Sequence, residues 1–421
     1  MNILKKLLLL ITILLTVYVL FRLFKTRKDI LESSQKPAFS ISESMQPYKV
    51  VEGYTSKSAA ADPRNLFLYN YCIKSSYNSC LNNQTLSTDT LKSVLKRGYR
   101  LIDLEVAMVN SSVSVCANST YTDDTNQSSS NTILLSDVLD AVKKYGLSYT
   151  SDGAPNYLEP LFINLRIKMN GITDQTAQVN LLNSVSTVIT SSLSNYLYPV
   201  INTNGKRINV PTLSLSNVMK GNRKCFFIID ITDIGYTYQS SNLNNIVHLA
   251  GGFNVTGQVK YYAYDDANAT SNNYSSLSSS PGGGIASQNP ATVNKYNNLT
   301  NISNTTNSGM FNMAIPQNSY ESPNYYPLNV AKNYTIQMGA MNAALSDTNL
   351  KTYEAIFNTS SASSTVTGFI SMAQVVKLAN STTATNSLAT DVKRAVLLGV
   401  FMLAVVSGII IVTKQSGITG A

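Results

Sequence analysis

Short apolar runs that alternate with helix-spaced segments govern what this chain can fold into. The stretches LFLYNYCI (66–73), RLIDLEVAMV (100–109), SVSVCA (112–117), LFINLRIKM (161–169) and CFFIIDI (225–231) are brief and rich in apolar and β-branched residues, as buried strands are. Between them, DTLKSVLKRG (89–98), SDVLDAVKKYG (136–146) and TDQTAQVNLLNSVSTVITSSLSNYL (173–197) space their apolar residues as helices do, the last two opening on Ser136 and Thr173 as N-caps. Strands separated by helices pair in parallel, because the crossover returns the chain to the same end of the sheet. The pattern predicts a doubly wound sheet or a (β/α)8 barrel. At 421 residues the chain has room for one barrel or for two or three average domains.

Two segments stand outside that pattern. Residues 7–21, LLLLITILLTVYVLF, lie between Lys5-Lys6 and a flank holding Arg22, Lys25, Arg27 and Lys28; with Leu23 and Phe24 they approach the roughly 20 residues a bilayer requires. A cleaved leader is the alternative, but the flank is basic and lacks a small-x-small cleavage site. Residues 395–413, AVLLGVFMLAVVSGIIIVT, carry no charge and are bounded by Lys393-Arg394 and Lys414. Their apolar character runs all the way round, which suits a span better than a core helix.

The expected organisation is therefore an N-terminal transmembrane anchor (1–28), a juxtamembrane linker (29–62), a folded body (63–375), a second linker (376–392) and a C-terminal anchor with its tail (393–421). At both anchors the heavier cluster of Lys and Arg lies on the body's side, which places the body on the cytoplasmic side. Nine of the 32 cations and three of the 23 anions flank the anchors; without them the net charge of +9 falls to +3. The basic excess is thus a membrane feature, and no nucleic-acid partner is expected. Sequons at Asn83, Asn110, Asn254, Asn301, Asn333 and Asn380 would favour a lumenal body, but such triplets arise by chance in a chain this rich in Asn, Ser and Thr.

Cys72, Cys80, Cys116 and Cys225 form no C-x-x-C pair and have no histidines around them, so they read as buried thiols rather than a zinc site or a disulfide framework. From about 236 to 310 the periodicity dissolves into polar tracts such as DDANATSNNYSSLSSSPGGGIASQNP, read as a long surface insertion because such tracts bury too little apolar area to offset chain entropy. Organised sequence resumes at MFNMAIPQ and ends in a strand-turn-helix module over 334–358.

Five separated stretches, in order, resemble the X and Y regions of phosphoinositide-specific phospholipase C. They are NYCIKSSYNSCL, LKRGYRLIDLEV, ILLSDVLDAVKKYG, LSLSNVMKGNRKCFFI and IPQNSYESPNYYPLNVAKNYTIQMGAMNAAL, and together they cover roughly 63–375. The resemblance implies a TIM-type (β/α)8 barrel with a long polar insertion and one transmembrane helix at each end. It also implies a chemistry of two histidines acting as base and acid, with a calcium ion held by an Asn and three carboxylates.

This sequence departs from that pattern at the reacting positions. The first histidine falls on Tyr77, whose phenol is a poor base at neutral pH, and the second on Asn118, which cannot titrate. The chain has one histidine, His248, at the edge of the variable insertion, so the pair cannot be assembled within one chain. Asn78, Asp103 and Glu105 keep metal-ligand positions, but Arg166 replaces the remaining carboxylate, and a guanidinium repels a cation. Arg166 is expected to take the ion's place, paired with Asp103 or Glu105 across the barrel mouth. The headgroup-binding Arg and Tyr fall on Met313 and Ile315, and the family's basic strand end becomes FIIDITD.

No catalytic residue and no cofactor are therefore expected, with calcium implied only if some chemistry survives. The resulting expectation is a membrane-anchored pseudoenzyme with a structural or scaffolding role. It suits a virion component, or minor capsid protein, between an internal membrane and the capsid, with protein partners in that assembly. A non-catalytic lipid-headgroup binder is the alternative. A phosphodiesterase using other groups, such as Lys74, Ser75, Ser76 and Tyr77 at one barrel mouth, is another.

Overall fold

The computed structural model describes residues 66–118, 129–253, 257–264, 310–316, 324, 336–357, 366–375 and 378. Both expected anchors, both linkers except residue 378, and most of the expected insertion lie outside the described residues. Among those described, no helix is long and apolar enough to cross a membrane.

The strands are β1 (Tyr71–Ser76), β2 (Leu81–Asn82), β3 (Thr85–Leu86), β4 (Leu101–Val109), β5 (Ser112–Cys116), β6 (Ile133–Leu134), β7 (Leu161–Ile167), β8 (Cys225–Asp230), β9 (Val247–Gly252), β10 (Val259–Tyr264), β11 (Phe311–Pro316), β12 (Met338–Met341) and β13 (Phe369–Ser371). Among the described residues β1, β4, β7, β8, β9, β10, β11 and β12 pair in parallel in that order. The sheet closes where β12 returns to β1, Ile73 opposite Met338, and where Ser75 of β1 meets Leu101 of β4. This is a closed eight-stranded parallel barrel of TIM type.

Alternation along each strand sorts its side chains between lumen and outer layer. Leu101, Phe162, Phe226, Ile228, Leu249, Phe311 and Met338 pack together inside. Ile102, Leu104, Ile163, Leu165 and Ile229 belong to the outer cluster with Leu139 of helix α2 (Leu135–Val142) and Leu182, Val185 and Ile189 of α3 (Gln175–Leu193). Each such side chain, fully buried, contributes about 1.5–3 kcal/mol. Helix α1 (Thr88–Lys96) is capped by Ser87, which accepts from the Thr90 amide. The floor of the lumen is closed by Val210, with Leu215 and Val218 of the short α4 (Leu215–Met219), packed in one cluster with Leu68 and Phe226.

The seam between β1 and β4 is bridged at one end only. Elsewhere β13 lies antiparallel on β1, Tyr71 opposite Ser371. Glu159 holds this closing strand, accepting from the Gly368 amide (2.8 Å), Thr367 Oγ1 (2.7 Å) and Asn156 Nδ2 (2.7 Å).

Several sequence expectations shift. Thr173 is not the cap of α3: Asp174 is, accepting from the Ala177 amide at 2.7 Å. Ser136 lies inside the first turn of α2, whose N-cap position Leu134 makes no side-chain cap, because β6 runs straight into the helix. The insertion begins later than 236, since β9 and β10 are barrel strands. Only residues 253–258 separate these two in sequence, too few for a crossover helix that would reveal them by periodicity. The close approach fixes Gly251, where a Cβ would collide with the Val259 carbonyl. All four cysteines are free and buried.

His248 sits on β9, packed rather than exposed. Its Nδ1 accepts from the Phe227 amide (3.0 Å) and its Nε2 donates to the Tyr198 carbonyl (2.7 Å), which fixes a neutral ring. Burial lowers its pKa from 6.5 to about 4. A depressed histidine contributes stability that is complete above pH 6.5 and is lost as pH falls toward 4. Acid titration of folding stability is expected to fall by at most about 3 kcal/mol across that window, and His248→Gln to flatten that limb. No second histidine confuses the assignment.

Candidate functional site

Side chains at alternate positions of a barrel strand share the lumen, so Asp103 and Glu105 on β4, and Asn164 and Arg166 on β7, point into one space. Register aligns them: Asp103 lies opposite Asn164 and Glu105 opposite Arg166. The loop after β1 adds Tyr77 and Asn78, the latter at φ 41°. These residues meet at the C-terminal ends of the strands, the mouth at which TIM barrels build sites.

Arg166 organises the mouth. Its Nε donates to both Asp103 oxygens (3.1 and 3.2 Å) and its Nη2 to Asp103 Oδ2 (2.9 Å). Its Nη1 donates to Glu105 Oε2 (2.5 Å), and Nη2 also donates to Asn78 Oδ1. Arg166, Asp103 and Glu105 are all at most 1% exposed. The Tyr77 ring covers the guanidinium, with 4.8 Å from Cζ to the ring centroid.

An outer set holds these groups in place. Asp103 accepts from the Asn78 amide (3.1 Å) and from Asn164 Nδ2 (2.8 Å), while Tyr261 on β10 donates to Asn164 Oδ1 (2.6 Å). Ser79 Oγ accepts from the Asp103 amide (2.9 Å). Glu105 Oε1 accepts from the Asn118 amide (2.8 Å). Lys168, also buried, pairs with Asp233 at 2.8 Å.

Electrostatics follow from burial. Burial opposes the charge on Arg166, but Asp103, Tyr77 and Glu105 outweigh it and hold the guanidinium well above its ordinary pKa. Burial pushes Glu105 up, against the pull of Arg166 and Lys168. Asp230, at the end of β8, is raised to about 8 by burial despite two hydrogen bonds from Thr232. Burial drives the Tyr77 phenol far above its normal value, and its oxygen finds no hydrogen-bond partner among the described residues. Such a phenol is unsuited to take a proton at neutral pH.

The structure brings Tyr77, Asn78, Asp103, Glu105, Arg166 and Asn118 together, and Arg166 pairs with both carboxylates rather than one. Met313 and Ile315 on β11 are buried apolar members of the lumen. Lys74 is not at the mouth. Alternation turns it outward, where its Nζ donates to the Arg97 carbonyl (2.6 Å) and lies 4.8 Å from the Tyr99 ring centroid. Two members were missed in the sequence, Asn164 and Tyr261. Asn164 carried a signal, a polar residue two before Arg166 in an otherwise apolar strand; Tyr261 lay within the stretch read as an insertion.

A calcium ion does not fit this cradle. The oxygens it would need, on Asn78, Asp103 and Glu105, accept hydrogen bonds from a guanidinium that cannot be deprotonated in a protein. Among the described residues no group of three or more His, Cys, Asp or Glu could hold a metal ion.

The class defined by fold and mouth is a parallel α/β barrel with its polar cluster at the strand C-termini. Residues 65–211 match the model of the family described as phosphatidylinositol-specific phospholipase C, X domain. The matched segment supplies Tyr77, Asn78, Asp103, Glu105, Asn118 and Arg166 of the site. No curated protein matches the chain by sequence. Among solved structures, PLC21 of L. pealei aligns at 13% identity over 69% of this chain and 36% of its own, with a TM-score of 0.44. PLC21 of S. officinalis aligns at 13% identity over 74% and 38%, with a TM-score of 0.43. The chain therefore covers little more than a third of each of those proteins.

Removing the guanidinium leaves two buried carboxylates without their cation. Arg166→Ala is expected to cost about 3–5 kcal/mol in denaturant unfolding. Tyr77→Phe keeps the ring over Arg166 and removes only an unpartnered hydroxyl, so it is expected to hold stability or raise it by about 1 kcal/mol. A loss of several kcal/mol would show that the phenol oxygen has a partner after all.

Proposed function

We propose that this chain is a membrane-anchored barrel of phospholipase C type that performs no catalysis and serves as a structural body. The observation that carries the reading is the guanidinium of Arg166 bound to Asn78, Asp103 and Glu105, the positions where the family resemblance would place calcium ligands. The proton-transfer positions support it as well: Tyr77 is a buried phenol driven away from ionisation, and Asn118 carries no titratable group. No cofactor is required.

Anchoring rests on the two apolar segments and their basic flanks, which place the barrel on the cytoplasmic face of a membrane. A rigid body tethered at both ends to one membrane suits a spacer between that membrane and a protein layer. In its fullest form the reading is a virion component between an internal membrane and the capsid, with capsid proteins as partners.

The test is an assay of the full chain, reconstituted in vesicles containing phosphatidylinositol, with millimolar calcium. No release of inositol phosphate and no calcium-induced shift in melting temperature are expected. Turnover would overturn the inactive reading. Binding to phosphatidylinositol vesicles above phosphatidylcholine controls, without turnover, would favour a headgroup binder. Co-purification with a stoichiometric protein lattice would support the scaffold.

A further inference from the structure

The two ends of the barrel differ in ways the mouth does not explain. The segment 194–224 crosses the end opposite the mouth. Tyr196 there accepts from the Lys224 and Cys225 amides at the start of β8, Arg207 donates to the Val247 carbonyl at the start of β9, and Leu213 accepts from the Leu68 amide just before β1. It holds five Lys or Arg and no Asp or Glu. Lys206, Lys220 and Arg223 are exposed. The exposed acid of the neighbouring entry loop, Asp152, is paired with Lys92 at 3.4 Å. Among the described residues at the mouth end, Asp89, Asp174 and Asp233 are exposed, the last paired with Lys168.

Of the seven exposed large apolar side chains among the described residues, five gather at the same end; Leu134 and Tyr236 lie elsewhere, at the end of β6 and after β8. Phe67, Tyr149, Leu158, Ile201 and Met310 all lie in segments that lead into barrel strands, hence at the end opposite the mouth. Tyr149 is the most open, 76% exposed with its ring against Tyr157. Lys224 lies over that same Tyr157 ring, 5.4 Å from its centroid. Apolar and aromatic side chains set among cations match the boundary between anionic headgroups and acyl chains. A nucleic-acid surface would use the cations but leave the aliphatic members exposed.

The path of the chain gives a third, independent indication. It enters the barrel before β1, and β13 runs antiparallel to β1 so that its last residue, Ser371, lies opposite Tyr71, the first of β1. β1 therefore begins, and β13 ends, at the end that carries the cations and the apolar side chains.

We infer that the end of the barrel opposite the mouth is a docking surface for an anionic lipid bilayer, seating the barrel with its mouth turned away from the membrane. This deepens the anchored reading above and rests on it for the bilayer's proximity. The anchors of that reading bring the barrel to the membrane, and the cations and apolar side chains of this face hold it there.

The chain contains no Trp, so a single introduced Trp is a unique reporter. Tyr149→Trp and Ile201→Trp place it on the proposed surface; Tyr236→Trp places it on an exposed position beyond the C-terminal end of β8. In the full chain reconstituted in vesicles with brominated phosphatidylserine, the reporters at 149 and 201 are expected to be quenched and blue-shifted, and that at 236 to be unaffected. Combining Lys206→Glu, Lys220→Glu and Arg223→Glu should abolish most of the quenching while the chain stays in the vesicle fraction. Quenching confined to 236, equal at all three positions or absent from all would overturn the inference. So would capture of duplex nucleic acid through these cations in the absence of quenching. Alkaline carbonate extraction tests the anchors separately: a chain released by carbonate but still quenched at 149 and 201 on anionic vesicles would defeat the anchored reading and leave the docking face standing.

Discussion

A guanidinium keeps its charge in any protein interior, so burying Arg166 obliges the fold to deliver acceptors to it from several directions. They come from two places far apart in sequence, Asn78 after β1 and Asp103 and Glu105 on β4, while Arg166 itself stands on β7. Their convergence depends on the barrel's register, and the register in turn is held where those strands pair. An ion pair of this kind adds little net stability over a well-packed apolar mouth, but once built it is costly to break. That asymmetry locks the mouth into one arrangement, with Tyr77 stacked over the cation and Asn164 and Tyr261 steadying Asp103 through a chain of hydrogen bonds.

The same side chains decide what the mouth can do. Acid-base chemistry needs groups that exchange protons near neutral pH within reach of a substrate, and metal-assisted chemistry needs oxygen lone pairs free to face a cation. Here burial holds the phenol of Tyr77 protonated, and the oxygens that would face an ion face a guanidinium instead. Among the described residues, this end of the barrel holds a buried, charge-compensated cluster. Its opposite end is floored by Val210, Leu215 and Val218, and the segment that supplies them displays its cations outward.

Much of the fold was legible in the sequence, because alternation and helical spacing are local. β4, β7 and β8 fall close to their expected bounds, and the helices within a few residues of theirs. The caps at Thr173 and Ser136 failed for local reasons: a charged Asp174 stood next to one, and β6 left no turn before the other. β9 and β10 were hidden because their short apolar runs follow each other without a helix between them. At the site, the residues at the proton-transfer and metal positions came from the family resemblance, whereas Lys74 was misplaced for want of strand phase.

The sequence by itself determined the alternating class of fold, the pairing of polar residues two apart on single strands, the single histidine and the charge of the flanking segments. These properties belong to neighbours along the chain, and local periodicity records them. Only the tertiary structure decided that Arg166 meets three acceptors at once, that β13 seals the seam beside β1, and that β13 ends where β1 begins. Each of these is set by the register between strands distant in sequence, and register comes from closure of the whole barrel, which no local pattern encodes.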